Sequence, residues 1–310
     1  MADNQRTKNQ HYVPQFLLRR FVDKNEQVNV YDKHQGRAFP SSTRNVASEN
    51  HFYDLKFGDI EIALEPAMTE IENSALGALN AIADSGSLSH LSGDSKGNIA
   101  YFMGTQMLRT RGALEMLHQI EEGFRRVAPS KGITPENMPG LFMDDDQLKQ
   151  MSLKNLQKMA KEFEPQFLNK DWLVLRDPDR RFLISDHPLV RHNDDPANSL
   201  MGNNGIACEG IHIYLPLSPE FTLTCLCPTI ADQLREDQTS KMPDTEIPLL
   251  VAIDSGNSID LIDDIVDFQN SLQIASAYRF VFSASNDVSL IEKVLAANPT
   301  VARPKYMDVQ

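Results

Sequence analysis

The sequence predicts an α+β fold, with helices through the first half and antiparallel strands mainly in the second. Three observations carry this. Ile62, Met68, Ile71, Ala75, Leu79 and Ile82 recur at helical spacing, the period of a helix burying one face. Ile99, Phe102, Met103, Ala113, Leu117, Ile120 and Phe124 form a second, longer series. Later, short apolar runs flank turn-forming residues: Trp172–Leu175 and Arg181–Ile184 about Asp177-Pro-Asp179, then Ile211–Leu215 and Phe221–Cys225 about Pro216-Leu-Ser-Pro219. Such spacing marks hairpins. Runs of helices followed by runs of strands place the chain in the α+β class.

Taken in order, residues 1–10 are a polar lead-in. Pro14 suits the first turn of a short helix reaching Phe21, because its missing N–H costs nothing there. Val13, Phe16, Leu17 and Phe21 then form one apolar stripe. Gln27–Asp32 alternates like a strand, Lys33–Gly36 is a turn, and Arg37–Phe39 begins the return strand. Asn50–Leu55 reads as a short strand or edge. Helical character begins near Ile60, with Pro66 early in it, and Asp84–Asp94 is a Ser/Gly-rich connection. One long central helix is expected over residues 95–127, although Gln106 and Thr110 interrupt its apolar stripe and Arg109 and Arg111 flank Thr110. A further helix is expected near 147–163. Asn193–Gly210 is a polar surface loop. Helices near 230–235, 258–276 and 288–297 and a strand over 278–282 complete the pattern. The expected organisation is a single domain over 1–310, with a helical part over 1–165 carrying a small N-terminal hairpin and a sheet part over 166–310.

A chain of 310 residues can bury a sizeable core. Its hydrophobic fraction, 41%, is that of an ordinary globular protein. No apolar run approaches a membrane span, and Met1–Arg6 lacks the apolar centre of a signal peptide, so no membrane association and a cytoplasmic location are expected. Cys208, Cys225 and Cys227 have no metal-site spacing and are expected to be free thiols. The net charge is −13 and unevenly distributed: residues 1–50 are net +3, leaving −16 on the rest. An acidic body opposes indiscriminate adhesion to nucleic acid, while a local basic site remains open to the N-terminal stretch. There is no P-loop, no Gly-X-Gly-X-X-Gly, no His-Glu-X-X-His, no Gly-X-Ser-X-Gly and no Cys-X-X-Cys.

Several pieces, in order along the chain, form a recognisable pattern: His11-Tyr-Val-Pro-Gln-Phe-Leu-Leu-Arg-Arg-Phe21, Val28-Asn-Val-Tyr-Asp32, Phe52-Tyr53, Ile71-Glu72, Gln106-Met-Leu-Arg-Thr110, Phe182-Leu-Ile-Ser-Asp-His-Pro188 and Pro216-Leu-Ser-Pro219. In these the chain resembles the DUF4238 family, an uncharacterised and mostly bacterial group. His187 departs from the small amide residue expected of the family there. The resemblance implies a common fold and site but no known activity. The general company of the family suggests a toxin or phage-defence setting.

Candidate site residues fall in three of these pieces. His11 suits general acid–base work near neutral pH. Gln15 and Arg19, four residues apart, share a helical face, and an arginine can clamp a phosphate or carboxylate. Gln106, Arg109 and Thr110 form a polar break in an apolar stripe, with Glu72 an expected partner for Arg109. Ser185 and Asp186 end a strand, where Asp186 is expected to orient His11, act as a base or bind a divalent ion such as Mg²⁺, for which Glu72 is the other candidate ligand. Each group also has a purely structural reading, as backbone caps and buried ion pairs. His51, His90, His118, His192 and His212 read as ordinary histidines. Two functions follow. One is phosphodiester hydrolysis by an RNase or other nuclease, with His11, Arg109 and Asp186 catalytic, Gln15, Arg19, Gln106, Thr110 and Ser185 binding substrate, and RNA or a nucleotide as partner. The other is a non-enzymatic module binding a small anionic ligand or, through the acidic body, a protein.

Overall fold

The structure, a computed structural model, describes residues 8–57, 60–193, 203–237 and 247–305. Part of the expected polar loop 193–210 lies outside the described residues.

The N-terminal stretch forms a strand, β1 (Asn9–His11), then a helical turn, α1 (Gln15–Leu18), extended by a 3-10 turn over Arg19–Phe21. Val13, Leu17 and Phe21 are buried as the stripe predicts. β2 (Val28–Asp32) and β3 (Arg37–Ser41) form the first hairpin. β4 (Ser48–Asn50) pairs antiparallel with β1, setting His11 opposite Ser48. The expected strand over Asn50–Leu55 is broken: a turn at 51–53 separates β4 from β5 (Asp54–Phe57). His51 takes a left-handed conformation there, with φ +57°, and histidine is among the residues that tolerate it. β5 pairs with β6 (Ile60–Ala63), so a strand precedes the helix that the sequence starts near Ile60.

α2 (Glu65–Ser85) stops at Gly86, whose φ of +65° and close approach to the Phe221 ring exclude a side chain. The predicted long central helix is two helices, α3 (Gly93–Leu108) and α4 (Arg111–Val127). The polar break is the cause. Thr110 adopts extended backbone, and its hydroxyl accepts the Ala113 N–H as the α4 N-cap. Thr110→Ala should therefore cost about 1–2 kcal/mol, read as a lower urea midpoint with an unchanged denaturant slope. α3 lies tightly on α5 (Asp145–Leu168): a Cβ at Gly104 would meet the Ala160 carbonyl oxygen at 2.9 Å. α5 opens with a reciprocal cap between Asp144 and Gln147.

The second half holds two sheets. One has the order β12-β7-β11-β10-β9, from β7 (Asp171–Arg176), β9 (Val190–His192), β10 (His212–Pro216), β11 (Phe221–Leu226) and β12 (Ile259–Asp260). The other has the order β3-β2-β13-β8, joining the N-terminal hairpin to β13 (Phe280–Ser283) and β8 (Ile184–Ser185). The hairpin expected about Asp177-Pro-Asp179 is therefore not formed. β7 pairs with β11 and β8 pairs with β13, in different sheets. The fully buried Asp177 accounts for this. Its carboxylate takes the Asp179 and Arg181 N–H groups and the Arg181 side chain, so the chain turns away from β7. The hairpin β10–β11 forms as predicted. α6 (Pro228–Asp237), α8 (Asp263–Ser276) and α9 (Ser289–Ala297) match expected helices, and α7 (Ile247–Ser255) was not expected.

The largest core cluster draws Tyr12, Leu17, Phe102, Trp172, Leu215 and Phe282 together from both halves of the chain. Val28 and Val30 of β2 join it, while Tyr31 turns to the opposite face of its sheet, against Val281 and Ile291, the alternation that a strand imposes. Among the described residues no helix is long and apolar enough to cross a membrane.

Candidate functional site

With Val13, Leu17 and Phe21 fixed in the core, one turn of helix places Gln15 and Arg19 on a common outer side beside His11. The Arg19 Nη2 donates to Gln15 Oε1 at 2.8 Å, and Gln15 Nε2 lies 3.4 Å from the His11 ring. The His11 Nε2 is 3.3 Å from the Thr43 carbonyl oxygen. That acceptor assigns the ring proton to Nε2 and leaves Nδ1 as the basic nitrogen, with Gln15 Nε2 at 3.4 Å from both. Burial pushes the His11 pKa below its ordinary value, against the pull of the Thr43 carbonyl and the Glu72 carboxylate. The ring is accordingly neutral near pH 7 and able to take a proton.

The break between α3 and α4 supplies the second group. Arg109 caps α3, and its side chain is fully buried. Its Nε donates to Gln106 Oε1 at 2.8 Å and its Nη1 to Glu72 Oε1 at 2.7 Å. Its Nη2 is buried with no partner among the described residues. A buried guanidinium N–H without an acceptor is costly and uncommon. Gln106 Nε2 in turn donates to the Tyr12 carbonyl oxygen at 2.9 Å. The Tyr53 hydroxyl lies 3.2 Å from the His11 carbonyl oxygen and 3.4 Å from that of Arg109. The two segments are thus tied side by side, and the His11 ring feels both Glu72 and Arg109. Glu65 borders the same network. Burial, and then Glu72, push its carboxyl above the ordinary range.

The structure joins His11, Gln15 and Arg19, and it joins Glu72, Gln106 and Arg109. Of the remaining candidates, Thr110 borders the same small cavity as Arg109, whereas Asp186 and Ser185 bond to other elements. Asp186 was expected to orient His11. Instead its carboxylate accepts the backbone N–H groups of Tyr278, Arg279 and Phe280 at 2.7–2.9 Å, while the partners of His11 are Thr43 and Gln15. Burial pushes the Asp186 carboxyl up to about 6, opposed by those three donors and by Lys33. Ser185 is fully buried, its hydroxyl facing the His187 carbonyl oxygen at 3.0 Å and Gln273 Oε1 at 2.8 Å. Thr110 is an N-cap and lies 2.6 Å from His187 Nδ1. Gln106 has both ends of its amide engaged and positions Arg109. Ser185 and Gln106 therefore hold the framework, and the hydrogen bonds join two of the three motifs.

A further network lies outside the predicted residues. His51 Nδ1 is 2.6 Å from Asp54 Oδ2, Asp54 Oδ1 accepts Gln10 Nε2 at 2.9 Å, and Gln10 Oε1 accepts the Tyr53 N–H. A strand over Asn50–Leu55 would set His51 and Asp54 on opposite faces. The turn brings them together, and nothing in the sequence marks it. Among the described residues no group of three or more His, Cys, Asp or Glu is placed to hold a metal ion.

A family model described as "Protein of unknown function (DUF4238)" matches residues 9–287, which span His11, Glu72 and Arg109 alike. The chain belongs to the DUF4238 family. No curated protein and no solved structure matches it. In this DUF4238 chain the cavity bordering Arg109, lined also by Phe52, Thr110, Leu114 and Leu153, has a volume of only about 10 Å³, roughly enough for one water. The exposed residues on the segments that flank His11 include the basic Lys8, Arg19 and Arg44, the last held by Asn9 through its carbonyl oxygen, together with Asn9, Asn45 and the partly exposed carboxylate of Glu49.

Proposed function

We propose that this DUF4238 protein hydrolyses phosphodiester bonds, with RNA as its substrate. The observation that carries the reading is the buried Arg109 guanidinium, one N–H of which lacks an acceptor, tied through Gln106 and Tyr53 to the segment that bears a neutral, half-buried imidazole. His11 takes the proton of the attacking oxygen, Gln15 holds the ring, and the enclosed Arg109 stabilises the growing negative charge of the phosphoryl oxygen through the one water that its cavity can hold. Arg19, Lys8 and Arg44 hold neighbouring phosphates. A small ligand is normally enclosed in a pocket of several hundred Å³. The shallow site and its exposed cations instead suit a polymer lying across the surface. A toxin or phage-defence role is consistent with this chemistry. Glu72, which keeps partial exposure, is the residue best placed to recruit a divalent ion with the substrate.

The neutralisation of Arg109 by Glu72 favours a second reading, in which the same surface binds RNA without cutting it. His11→Ala separates the two. A hydrolase should lose at least ~10²-fold of its RNA-cleaving rate, with and without Mg²⁺, at unchanged circular dichroism. No degradation by either protein alongside retained RNA binding would leave the binding module, and equal degradation by both would overturn the role given to His11.

A further inference from the structure

The sheet β3-β2-β13-β8 buries one face in the main core through Val28, Val30 and Phe282. Its other face presents Asn29, Tyr31, Ala38, Pro40, Val281 and Ser283, by the alternation and register of the strands. Helix α9 covers only part of that face, through Val288 and Ile291. What stays uncovered is a cleft of two chambers. The larger, about 400 Å³, is lined by polar side chains including Asn270, Ser283, Ser285, Asp287, Ser289 and Lys293. The smaller, about 160 Å³, is mainly apolar, with the side chains of Tyr31, Ala38, Pro40, Val281 and Val288 in its walls. Ser283, Ser285, Asp287 and Ile291 line both, so one ligand can reach from one chamber into the other.

We propose that this cleft is a nucleoside site, separate from the His11–Arg109 site. The smaller chamber has the apolar and aromatic walls that receive a flat base. At the shared wall stand hydroxyls and a carboxylate, the groups that bind a ribose diol, with Asp287 accepting from its hydroxyls as an acidic residue does in dinucleotide sites. The charges of the larger chamber argue for the uncharged nucleoside over its phosphate. Asp179, Asp267 and Asp287 line it together with Arg180, Arg181 and Lys293. Arg181 is already paired with Asp177 and Asp263, and Arg180 with Glu220. Lys293 alone is left to meet a phosphate, among three carboxylates.

Isothermal titration calorimetry of the full chain with adenosine, guanosine, cytidine and uridine tests this. At least one should bind saturably at one site per chain. Replacing that nucleoside by its 2′,3′-dideoxy form should weaken binding at least tenfold, as should Tyr31→Leu, which keeps apolar volume and removes the aromatic ring, and Asp287→Asn. Asp287→Asn retains a side-chain oxygen for the Ser289 N–H, which guards against loss of the α9 cap. His11→Ala should bind the nucleoside as wild type does, which separates this site from the proposed hydrolytic one. The proposal is overturned if none of the four saturates at millimolar concentration. It is also overturned if the monophosphate or free phenylalanine binds more tightly than the nucleoside, or if neither cleft variant weakens binding.

Discussion

Arg109→Leu is expected to lower the stability of the chain by about 3 kcal/mol, the low end for breaking a buried ion pair by removing one partner. The substitution keeps most of the apolar volume, so the loss is electrostatic in origin. Gln106 Oε1 loses its donor in a fully buried setting, and Glu72 loses the cation 2.7 Å away. Glu72 retains 25% exposure and can draw on water, which is why the cost sits at the low end. The same physics predicts partial recovery. Replacing both partners of a buried pair by apolar residues is often close to neutral, so Arg109→Leu/Glu72→Leu should regain at least half of the loss. Arg109→Lys should lie between, since one ammonium cannot bridge Gln106 and Glu72 in the fixed geometry of a guanidinium. Urea midpoints for the three variants decide the matter. A neutral Arg109→Leu would mean that the guanidinium does not hold the α3–α4 junction. The three variants also bear on function: if Arg109 stabilises the reacting phosphate through its enclosed water, Arg109→Lys loses RNA cleavage out of proportion to its loss of stability.

The parts of this fold legible in the sequence are those set by local periodicity. The α2 stripe from Met68 to Ile82 and the β10–β11 hairpin have the predicted form because burial of one face dictates them. The break at Thr110 was visible as polar residues in an apolar series, but its meaning was not. Whether a polar residue in such a series is a buried network or a helix end depends on what packs against it. The turn at Asp177 failed differently. Its residues are those of a hairpin, and only the burial of the Asp177 carboxylate against Arg181 sends the next strand to another sheet. The site divides the same way. His11, Gln15 and Arg19 fall together because helical spacing is local, and the Glu72–Arg109 pair was anticipated from charge alone. Asp186 was misplaced because its partners are backbone N–H groups some 92–94 residues away, which no side-chain pattern records. The contact between His51 and Asp54 needed a left-handed backbone at a non-glycine residue, a conformation that sequence seldom announces.

Asp186 is fully buried, the adjacent His187 half-buried, and the two are displaced in opposite directions, so their effects on stability should oppose each other over the mildly acidic range. Burial pushes the His187 ring down from 6.5 to about 4, with Arg191 adding to the shift. Between those values the unfolded chain holds the proton and the folded chain does not, so stability rises with pH. This contribution is complete above about 6.5 and is lost as pH falls through about 4. Asp186 is raised from 3.8 to about 6. Between those values the folded chain holds the proton, so its contribution is complete below about 3.8 and is lost as pH rises through about 6. The His187 contribution amounts to about 3 kcal/mol on the linkage relation, whereas that of Asp186 is shared with Lys33, whose ammonium opposes the rise. Other groups tilt the wild-type profile, so the informative quantity is the difference between variant and wild type at each pH. His187→Gln keeps a polar partner for Thr110 and removes only the rising contribution. Relative to wild type it should gain about 3 kcal/mol on going from pH 7 to pH 4. Asp186→Asn should lose ground over the same change, on top of a cost at every pH, because an amide cannot accept all three backbone N–H groups. Urea unfolding at half-unit steps from pH 4 to pH 7.5 gives both differences. Profiles that run parallel to wild type would show that neither group changes its affinity for protons on folding, and would leave Asp186 as a hydrogen-bond acceptor alone.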